Sequence, residues 1–338
     1  MRFLFWPALF LVLIWGICKF LFVRSTPSES HQKMIDLYSR MGGWPLDFIS
    51  MILRRKKAFF ARHQIEGDQF KFNSDKMSMK SLRENGYIFS KDAFSNEEIE
   101  KLINFSSDLM GTPRAMDGDI NNYKECKFDR SRIIATRFDF DPNDLIKSPI
   151  IQNFISSPRL ISFLQEYLGG LPILTNINMW WSVPIKEGPD YEAAQEWHFD
   201  MDRPKWLKCF IYLTDVFEEN GPHQFISGSH LPNGIPHCLR KLGYVRLDNN
   251  LVKGVFPPEH FISFFGNAGT MIIEDTKGLH RGRAPTIGSR LILAIEFSTT
   301  LFGASYKTIS IPVIQTSQFK SMFVKNPKIY QMLEMRSN

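Results

Sequence analysis

The stretch Glu196–Asp202, EWHFDMD, places a histidine and an acid two positions apart, at His198 and Asp200. Side chains alternate between the two faces of a β-strand, so on a strand these two would point to the same side. An imidazole and a carboxylate on one face can bind one metal ion from two directions. A third ligand must then come from far along the chain, and we expect it to be His280.

Two histidines and one carboxylate on one side of a metal ion leave three positions of an octahedral shell open. This arrangement is typical of non-haem Fe(II), which must bind a co-substrate and O₂ together. Zinc also accepts two histidines and an acid, so the three residues alone leave the metal undecided. A His-x-Asp pair is short enough to occur by chance, and its significance depends on the residues C-terminal to His280.

Arg290 lies ten positions after His280, at the start of the apolar stretch Leu291–Ile295. A guanidinium at the start of a buried strand needs an anionic partner. The far carboxylate of a dicarboxylate is a suitable partner, because it accepts two parallel hydrogen bonds from arginine. Together with a metal, Arg290 therefore predicts 2-oxoglutarate as co-substrate. The alternative is a strand-end arginine that pairs with a nearby Asp or Glu.

An ordered set of motifs accompanies these residues. It comprises a helix start at Ser95, Trp197-His198-Phe199-Asp200, Tyr212-Leu213-Thr214-Asp215, Asn220-Gly221-Pro222, Gly228-Ser229-His230, Gly278-Leu279-His280-Arg281-Gly282 and Arg290. In this order the set resembles the phytanoyl-CoA dioxygenase-like family of Fe(II)/2-oxoglutarate-dependent oxygenases. The resemblance extends from about Met79 to Ser298.

The resemblance implies a mainly β fold with flanking helices and a double-stranded β-helix core, which is a jelly-roll, cupin-like fold. It also implies iron on His198, Asp200 and His280, with 2-oxoglutarate bound to the iron and to Arg290. The chain departs from some members at Gly282, where a hydroxyl residue often helps to hold the oxo acid. Asn178 and Tyr212 are candidates for that hydrogen bond, and ascorbate is a candidate reductant.

The pattern after residue 79 is that of a β-rich domain flanked by helices. Several short apolar stretches are separated by Gly, Pro, Asn and Asp, which favours an antiparallel sandwich or barrel. The predicted strands are Ile173–Val183, Leu207–Thr214, Phe261–Phe265, Thr270–Glu274 and Arg290–Ser298. We place this domain at 79–310 and a C-terminal helical tail at 311–338.

The N-terminal stretch Phe3–Val23 is apolar except for Lys19, and Arg2 and Arg24 bound it. Its length approaches the roughly 20 residues of a membrane-spanning helix. We therefore predict a single-pass transmembrane anchor at 1–24, with a cleaved signal peptide as the alternative. Basic residues after the segment favour a catalytic domain that faces the cytoplasm.

Residues 25–78 are predicted to form a membrane-proximal unit with a basic cluster at Arg54–Arg62. Apolar positions at helical spacing, among them Phe48, Ile49, Ile52 and Leu53, precede that cluster. Two interpretations remain open. The helix either packs on the domain with a solvated basic face or lies on anionic lipid.

The composition is that of a globular chain: of 338 residues, 43% are hydrophobic and 22% are charged. The formal net charge of +6 comes with no zinc-finger spacing and no aromatic-basic motif, so we predict no nucleic-acid partner. The four cysteines form no CxxC pair, which argues against a disulfide scaffold or a structural zinc site.

The predicted activity is that of a hydroxylase, in which decarboxylation of 2-oxoglutarate is coupled to oxidation of a C–H bond. The anchor, the basic amphipathic stretch and the aromatic-rich domain favour a lipid or another membrane-proximal substrate. A protein or glycan beside the membrane would suit the same features. Two alternatives stay open: a zinc-dependent hydrolase or isomerase on the same fold, and a non-catalytic membrane-tethered binding module. Among the other polar residues, we interpret His223 and His260 as locally hydrogen-bonded or solvated and Asp202 as a support for the metal site.

Overall fold

The computed structural model describes residues 5–55, 70–72, 74–114, 124–184 and 194–335. Its helices are α1 (Phe5–Val23), α2 (Ser28–Met41), α3 (Trp44–Leu53), α4 (Lys76–Glu84), α5 (Asn96–Ser107), α6 (Pro142–Leu145), α7 (Pro149–Ile155), α8 (Pro158–Leu168), α9 (His237–Arg240), α10 (Asn249–Lys253) and α11 (Ser317–Lys325). Its strands are β1 (Tyr87–Ser90), β2 (Gly111–Arg114), β3 (Arg137–Phe140), β4 (Ile173–Ser182), β5 (Trp206–Tyr212), β6 (His223–Ile226), β7 (Phe261–Phe264), β8 (Met271–Glu274), β9 (His280–Gly282), β10 (Arg290–Ser298), β11 (Ile309–Ile311) and β12 (Leu333–Met335).

The start of α5 shows how local sequence sets an element boundary. Glu98 donates its backbone N–H to the Ser95 hydroxyl at 3.3 Å, and the Glu98 carboxylate accepts from the Ser95 backbone N–H at 2.8 Å. This reciprocal pair satisfies two backbone donors that the first helical turn leaves without partners. The helix therefore begins where the sequence places its cap.

Two antiparallel sheets form the core. The larger has seven strands in the order β1-β8-β5-β10-β4-β3-β2, and the smaller has three in the order β7-β6-β9. One face of the large sheet packs on α7 and α8 through an extensive apolar cluster, which Leu293 of β10 and Leu164 of α8 represent. Its other face is turned toward the small sheet. The predicted mainly β core with flanking helices is observed.

The alternation along β10 determines what each face carries. Leu291, Leu293, Ile295 and Phe297 belong to the apolar cluster under the helices. The intervening side chains, Arg290, Ile292, Ala294 and Glu296, line a cavity between the sheets. Because side chains alternate with period two, one strand contributes both to the core and to the site.

The predicted transmembrane anchor is wrong. Helix α1 has 19 residues, and no helix in the described ranges is long and apolar enough to cross a membrane. One side of α1 is packed in protein: Leu9, Leu13 and Phe20 are buried, and the Ser30 hydroxyl of α2 donates to the Val12 carbonyl at 3.0 Å. The single-pass membrane location and the cytoplasmic-facing orientation, which were inferred from the anchor, are corrected with it.

Helix α2 packs against the segment that carries the predicted metal ligands, and α3 belongs to the same apolar cluster. The Tyr38 and Phe199 rings lie 5.1 Å apart, and His31 Nε2 lies 2.9 Å from the Met201 carbonyl oxygen. In α3, Ile49 and Leu53 are buried while Phe48 and Ile52 are exposed, so the face expected on lipid is divided between protein core and solvent. Residues 56–62 of the basic cluster lie outside the described residues.

The C-terminal region combines a helix and a strand. Helix α11 covers Ser317–Lys325, and Leu333–Met335 pairs in parallel with β11 as β12. Pro327 lies just beyond the end of the helix, and a proline there cannot donate the next helical hydrogen bond. The helical tail expected at 311–338 is thus helical over nine of its residues.

We predict that Asp47→Ala destabilises the protein by about 1–3 kcal/mol, because it removes the carboxylate that is ion-paired with a buried ammonium. Lys277 Nζ lies 2.8 Å from Asp47 Oδ1, and the Lys277 side chain is only 4% exposed. Urea unfolding measures the change. Adding Lys277→Met should restore most of the loss.

The matched control is Glu97→Ala in the exposed Glu97–Lys101 pair of α5, which should leave the unfolding midpoint unchanged. An Asp47→Ala protein that is as stable as the wild type would contradict the proposed role of this ion pair.

Candidate metal centre

The two predicted histidine ligands lie directly opposite each other. His198 donates its backbone N–H to the His280 carbonyl at 3.0 Å, and His280 donates to the His198 carbonyl at 2.8 Å. Asp200 is held two residues further on, where its N–H donates to the Thr276 carbonyl at 2.7 Å. One potential ligand atom from each of the three side chains lies within 4.8 Å of the others, and all three residues are buried.

Both imidazoles are oriented to present Nε2. Nδ1 of His198 lies 2.9 Å from the Glu196 carbonyl oxygen, and Nδ1 of His280 lies 2.9 Å from that of Gly278. A carbonyl oxygen only accepts, so each Nδ1 carries the proton and each Nε2 keeps its lone pair for a metal. Burial, followed by the charges of His280 and Arg246, holds the pKa of His198 well below its usual value.

A buried lysine accompanies the Asp200 carboxylate. Lys208 Nζ lies 2.9 Å from Asp200 Oδ2 and 3.3 Å from Glu296 Oε1. Burial by itself would raise the pKa of Asp200, but Lys208, together with His280 and His198, outweighs burial and holds that pKa well below the usual range. The carboxylate is therefore ionised and ready to bind a cation.

These side chains open into a cavity of about 470 Å³ between the two sheets. The cavity extends along β10 from Arg290 at the start of the strand toward Glu296 near its end, and its middle is lined by Ile292 and Ala294. Its other polar lining residues are Arg114, Arg137, Asn176, Asn178, Asp202, Lys208 and His223.

Arg290 is buried in this cavity with its hydrogen-bonding capacity largely unused. Its Nη2 lies 3.5 Å from the Ser182 hydroxyl, while Nε and Nη1 have no hydrogen-bond partner among the residues that the structure describes. Burial lowers the pKa of Arg290 to about 10, so the guanidinium still carries its charge at neutral pH. An anionic ligand with two acceptor oxygens would satisfy it.

Gly282 faces the same guanidinium. A Cβ atom at this position would lie 2.9 Å from Arg290 Nη2, so a side chain there would force the arginine to move. Some family members have a hydroxyl residue at the position of Gly282. In this chain the Arg290 guanidinium lies close to that position.

The structure separates the two other predicted co-substrate residues. Asn178 lines the cavity and donates from Nδ2 to Glu296 Oε1 at 3.3 Å. The Tyr212 hydroxyl donates to the Phe264 carbonyl at 2.9 Å and accepts from the His223 backbone N–H at 3.0 Å. Tyr212 therefore supports the backbone of β6 rather than lining the cavity.

Sequence reasoning missed a buried histidine–carboxyl pair. His223, which we interpreted as locally hydrogen-bonded or solvated, lies on β6 and is 3% exposed. Its Nε2 lies 2.9 Å from Oε1 of Glu274, which is 51 positions away in sequence. Burial lowers the pKa of His223 to about 3 and raises that of Glu274 to about 8, so both are uncharged near neutral pH. The hydrogen bond to Glu274 occupies Nε2, so Nδ1 is the ring nitrogen of His223 that is left for another partner.

Lys208 and Glu296 were also missed, although the sequence contains a signal for them. Each is the single charged residue inside an otherwise apolar run of its strand. A charge in a buried strand requires a partner, and here the two side chains are partners of each other. The same reasoning applies to Glu274 at the end of β8.

The donor set fits a non-haem Fe(II) ion, since two neutral imidazoles and an ionised carboxylate converge from one side. The unused Nε and Nη1 of Arg290 fit the far carboxylate of 2-oxoglutarate. Zinc would fit the three ligands equally well, but it would leave the buried arginine without a partner.

Comparison with known proteins gives an independent test of the resemblance. The family model of phytanoyl-CoA dioxygenase (PhyH) matches residues 82–243, which include His198 and Asp200. Ectoine dioxygenase from Bordetella parapertussis is 26% identical over 156 residues, covering 45% of this chain and 48% of the relative. The chain thus spans about half the length of the curated relatives that it matches.

Similar solved structures include EvdO2 from Micromonospora carbonacea var. aurantiaca complexed with 2-oxoglutarate, with a TM-score of 0.47 and 14% identity over 68% of this chain and 92% of that one. HygX from Streptomyces hygroscopicus with nickel and 2-oxoglutarate bound has a TM-score of 0.45 and 15% identity over 73% of this chain and 94% of that one. The family match over residues 82–243 confirms the resemblance to the phytanoyl-CoA dioxygenase family that the sequence motifs indicate.

Proposed function

We propose that the protein is an Fe(II)/2-oxoglutarate-dependent dioxygenase that hydroxylates a small molecule. His198, Asp200 and His280 hold the iron, and Arg290 holds the far carboxylate of 2-oxoglutarate. The observation that carries this proposal is the buried Arg290 guanidinium, whose Nε and Nη1 have no partner among the described residues and which lines the same cavity as the two histidines. A zinc hydrolase would require the three ligands but not this arginine.

The side chains supply geometry and charge, while the bound iron would supply the coupling of 2-oxoglutarate decarboxylation to C–H oxidation. His198 and His280 are fixed by the carbonyls behind them, so little reorganisation accompanies metal binding. Lys208 balances the negative charge of Asp200 and Glu296. Ile292 and Ala294 form an apolar floor between Arg290 and the metal ligands, which limits water beside the co-substrate.

We further propose that the substrate is polar. The part of the cavity that 2-oxoglutarate would not occupy is lined by Asn176, Asp202, Lys208 and Glu296. An acyl chain packed against these polar groups would exclude water from them and offer no hydrogen bond in return, which is costly. The curated relatives are named for ectoine, which agrees with a small-molecule rather than a lipid substrate.

The catalytic unit that we propose comprises residues 79–310, with α2 and α3 as supports behind the metal ligands. Tyr38 of α2 packs on Phe199 of the ligand segment, and Ser50 of α3 shares a 2.8 Å hydrogen bond with Thr299.

The proposal is tested by adding Fe(II) and 2-oxoglutarate to the full chain without oxygen. We expect a weak visible charge-transfer band, which Asp200→Ala abolishes by removing a metal ligand. Arg290→Ala should weaken 2-oxoglutarate binding about 100-fold or more, because a buried charge-assisted pair is lost. Arg290→Lys should recover only part of that affinity, since an ammonium lacks the planar fork.

The control is Arg281→Ala on the same side of the fold. The Arg281 guanidinium lies over Trp197 and donates to Gln224, so its loss should leave 2-oxoglutarate affinity unchanged. Absence of the band together with tight zinc binding would instead support the hydrolase alternative.

A second prediction concerns pH. Metal binding requires ionised Asp200, whose pKa is held low against burial by Lys208. In Lys208→Met that pKa rises, so protons compete with the metal, and the loss of affinity relative to wild type grows as pH falls. We expect about a tenfold loss at pH 6 by metal titration. Lys205→Met is the control, because Lys205 Nζ lies over the Tyr167 ring; equal affinities at every pH would refute this role of Lys208.

A third prediction concerns the substrate. Small polar compounds should stimulate succinate formation from 2-oxoglutarate more than acyl-CoA thioesters or fatty acids do. Asn176→Leu should reduce that stimulation without changing 2-oxoglutarate affinity, because Asn176 lies next to Glu296 in the β4–β10 pairing. Strongest stimulation by a long-chain acyl compound would show that the proposed substrate class is wrong.

A further inference from the structure

His223 and Gly282 occupy directly opposed positions in the small sheet. They are paired residues in the antiparallel register of β6 and β9, and both line the cavity. Side chains of directly opposed residues in an antiparallel pair point to the same face. The histidine ring therefore lies beside the space that a side chain at residue 282 would fill.

The same space adjoins the arginine that anchors the co-substrate. A Cβ on Gly282 would approach Arg290 Nη2 to 2.9 Å. A carboxylate bound to Arg290 would thus lie close to the His223 ring. A glycine at 282 cannot contribute a hydrogen bond from its side chain, while the adjacent histidine can.

The His223 ring is fixed rather than free to turn. Nε2 is bonded to Glu274 Oε1 at 2.9 Å, and the ring packs at 4.6 Å from Phe210 and 5.8 Å from His280, measured between ring centroids. Nδ1 is the remaining polar atom, and it has no hydrogen-bond partner among the described residues. Glu274 thus fixes the orientation of the His223 ring. That ring lines the same cavity as His198 and His280.

The two residues predicted from sequence for this role are engaged elsewhere. The Tyr212 hydroxyl is saturated by the Phe264 carbonyl and the His223 N–H. Asn178 Nδ2 is used by Glu296, and its Oδ1 accepts from Asn176 Nδ2 at 3.3 Å.

We propose that His223, held by Glu274, donates a hydrogen bond from Nδ1 to the 2-oxoglutarate carboxylate that Arg290 binds, in place of a hydroxyl at residue 282. This assignment rests on the proposed function. His223 is then a co-substrate-binding residue, and Glu274 is a positioning residue that acts through it.

The test measures 2-oxoglutarate affinity of the full chain loaded with Fe(II) under anaerobic conditions, using the charge-transfer band. His223→Leu should weaken binding about tenfold or more, because a charge-assisted hydrogen bond is lost. His223→Gln, whose amide can donate, should recover part of the affinity. Metal affinity, measured separately by calorimetry with Mn(II), should be the same in all three proteins.

A comparison of ligands separates a contact from a general disturbance. 2-Oxobutyrate retains the oxo acid but lacks the far carboxylate. Its weaker binding should therefore be unaffected by His223→Leu. If His223→Leu does not fold, His223→Phe keeps the ring packing on Phe210 and serves as the non-donating variant. His230→Gln is the matched control, because His230 is also buried but bonds the Arg83 carbonyl outside the cavity.

Unchanged 2-oxoglutarate affinity in the non-donating variant would overturn the assignment, as would an equal loss for 2-oxobutyrate. If the wild type itself bound no 2-oxoglutarate, the proposed function would fail instead, so the two failures are distinguishable.

Discussion

The reciprocal backbone hydrogen bonds between His198 and His280 are the constraint on which the site depends. They join segments that are 82 positions apart in sequence and place two imidazoles opposite each other. The bond from Asp200 N–H to the Thr276 carbonyl continues the same pairing and brings the carboxylate to the same side. A metal site made from distant residues needs this kind of backbone alignment, because side chains alone are too flexible to preserve it.

Around this alignment the cavity contains charged and polar side chains that a protein interior accepts only when they are paired. Lys208 is shared between Asp200 and Glu296, and His223 is bonded to Glu274. Arg290 differs, since its guanidinium makes one long hydrogen bond to Ser182. Burying a cation in this way is unfavourable unless an anionic group balances its charge and accepts its remaining hydrogen bonds. The imbalance at Arg290 therefore indicates a ligand, whereas the balanced pairs indicate support.

The N-terminal helices change the interpretation of the apolar segment. An apolar run serves equally well against lipid or against protein, and hydropathy alone does not distinguish them. In the described residues, α1 packs on α2, and α2 packs on Phe199 between the predicted ligands His198 and Asp200. A region whose hydropathy predicts a membrane segment thus supports the proposed metal centre from within the protein.

The sequence by itself determined the spacing of His198 and Asp200, the distant His280, the position of Arg290 and the β-rich pattern of the domain, because these depend on local periodicity and motif order. Only the tertiary structure decided which surface α1 covers, that Lys208 neutralises Asp200, and that His223 enters the cavity opposite Gly282. Those facts depend on strand register and on packing between distant segments. The register of two strands that are far apart in the chain is a property of the assembled sheet, so no single stretch of sequence contains it.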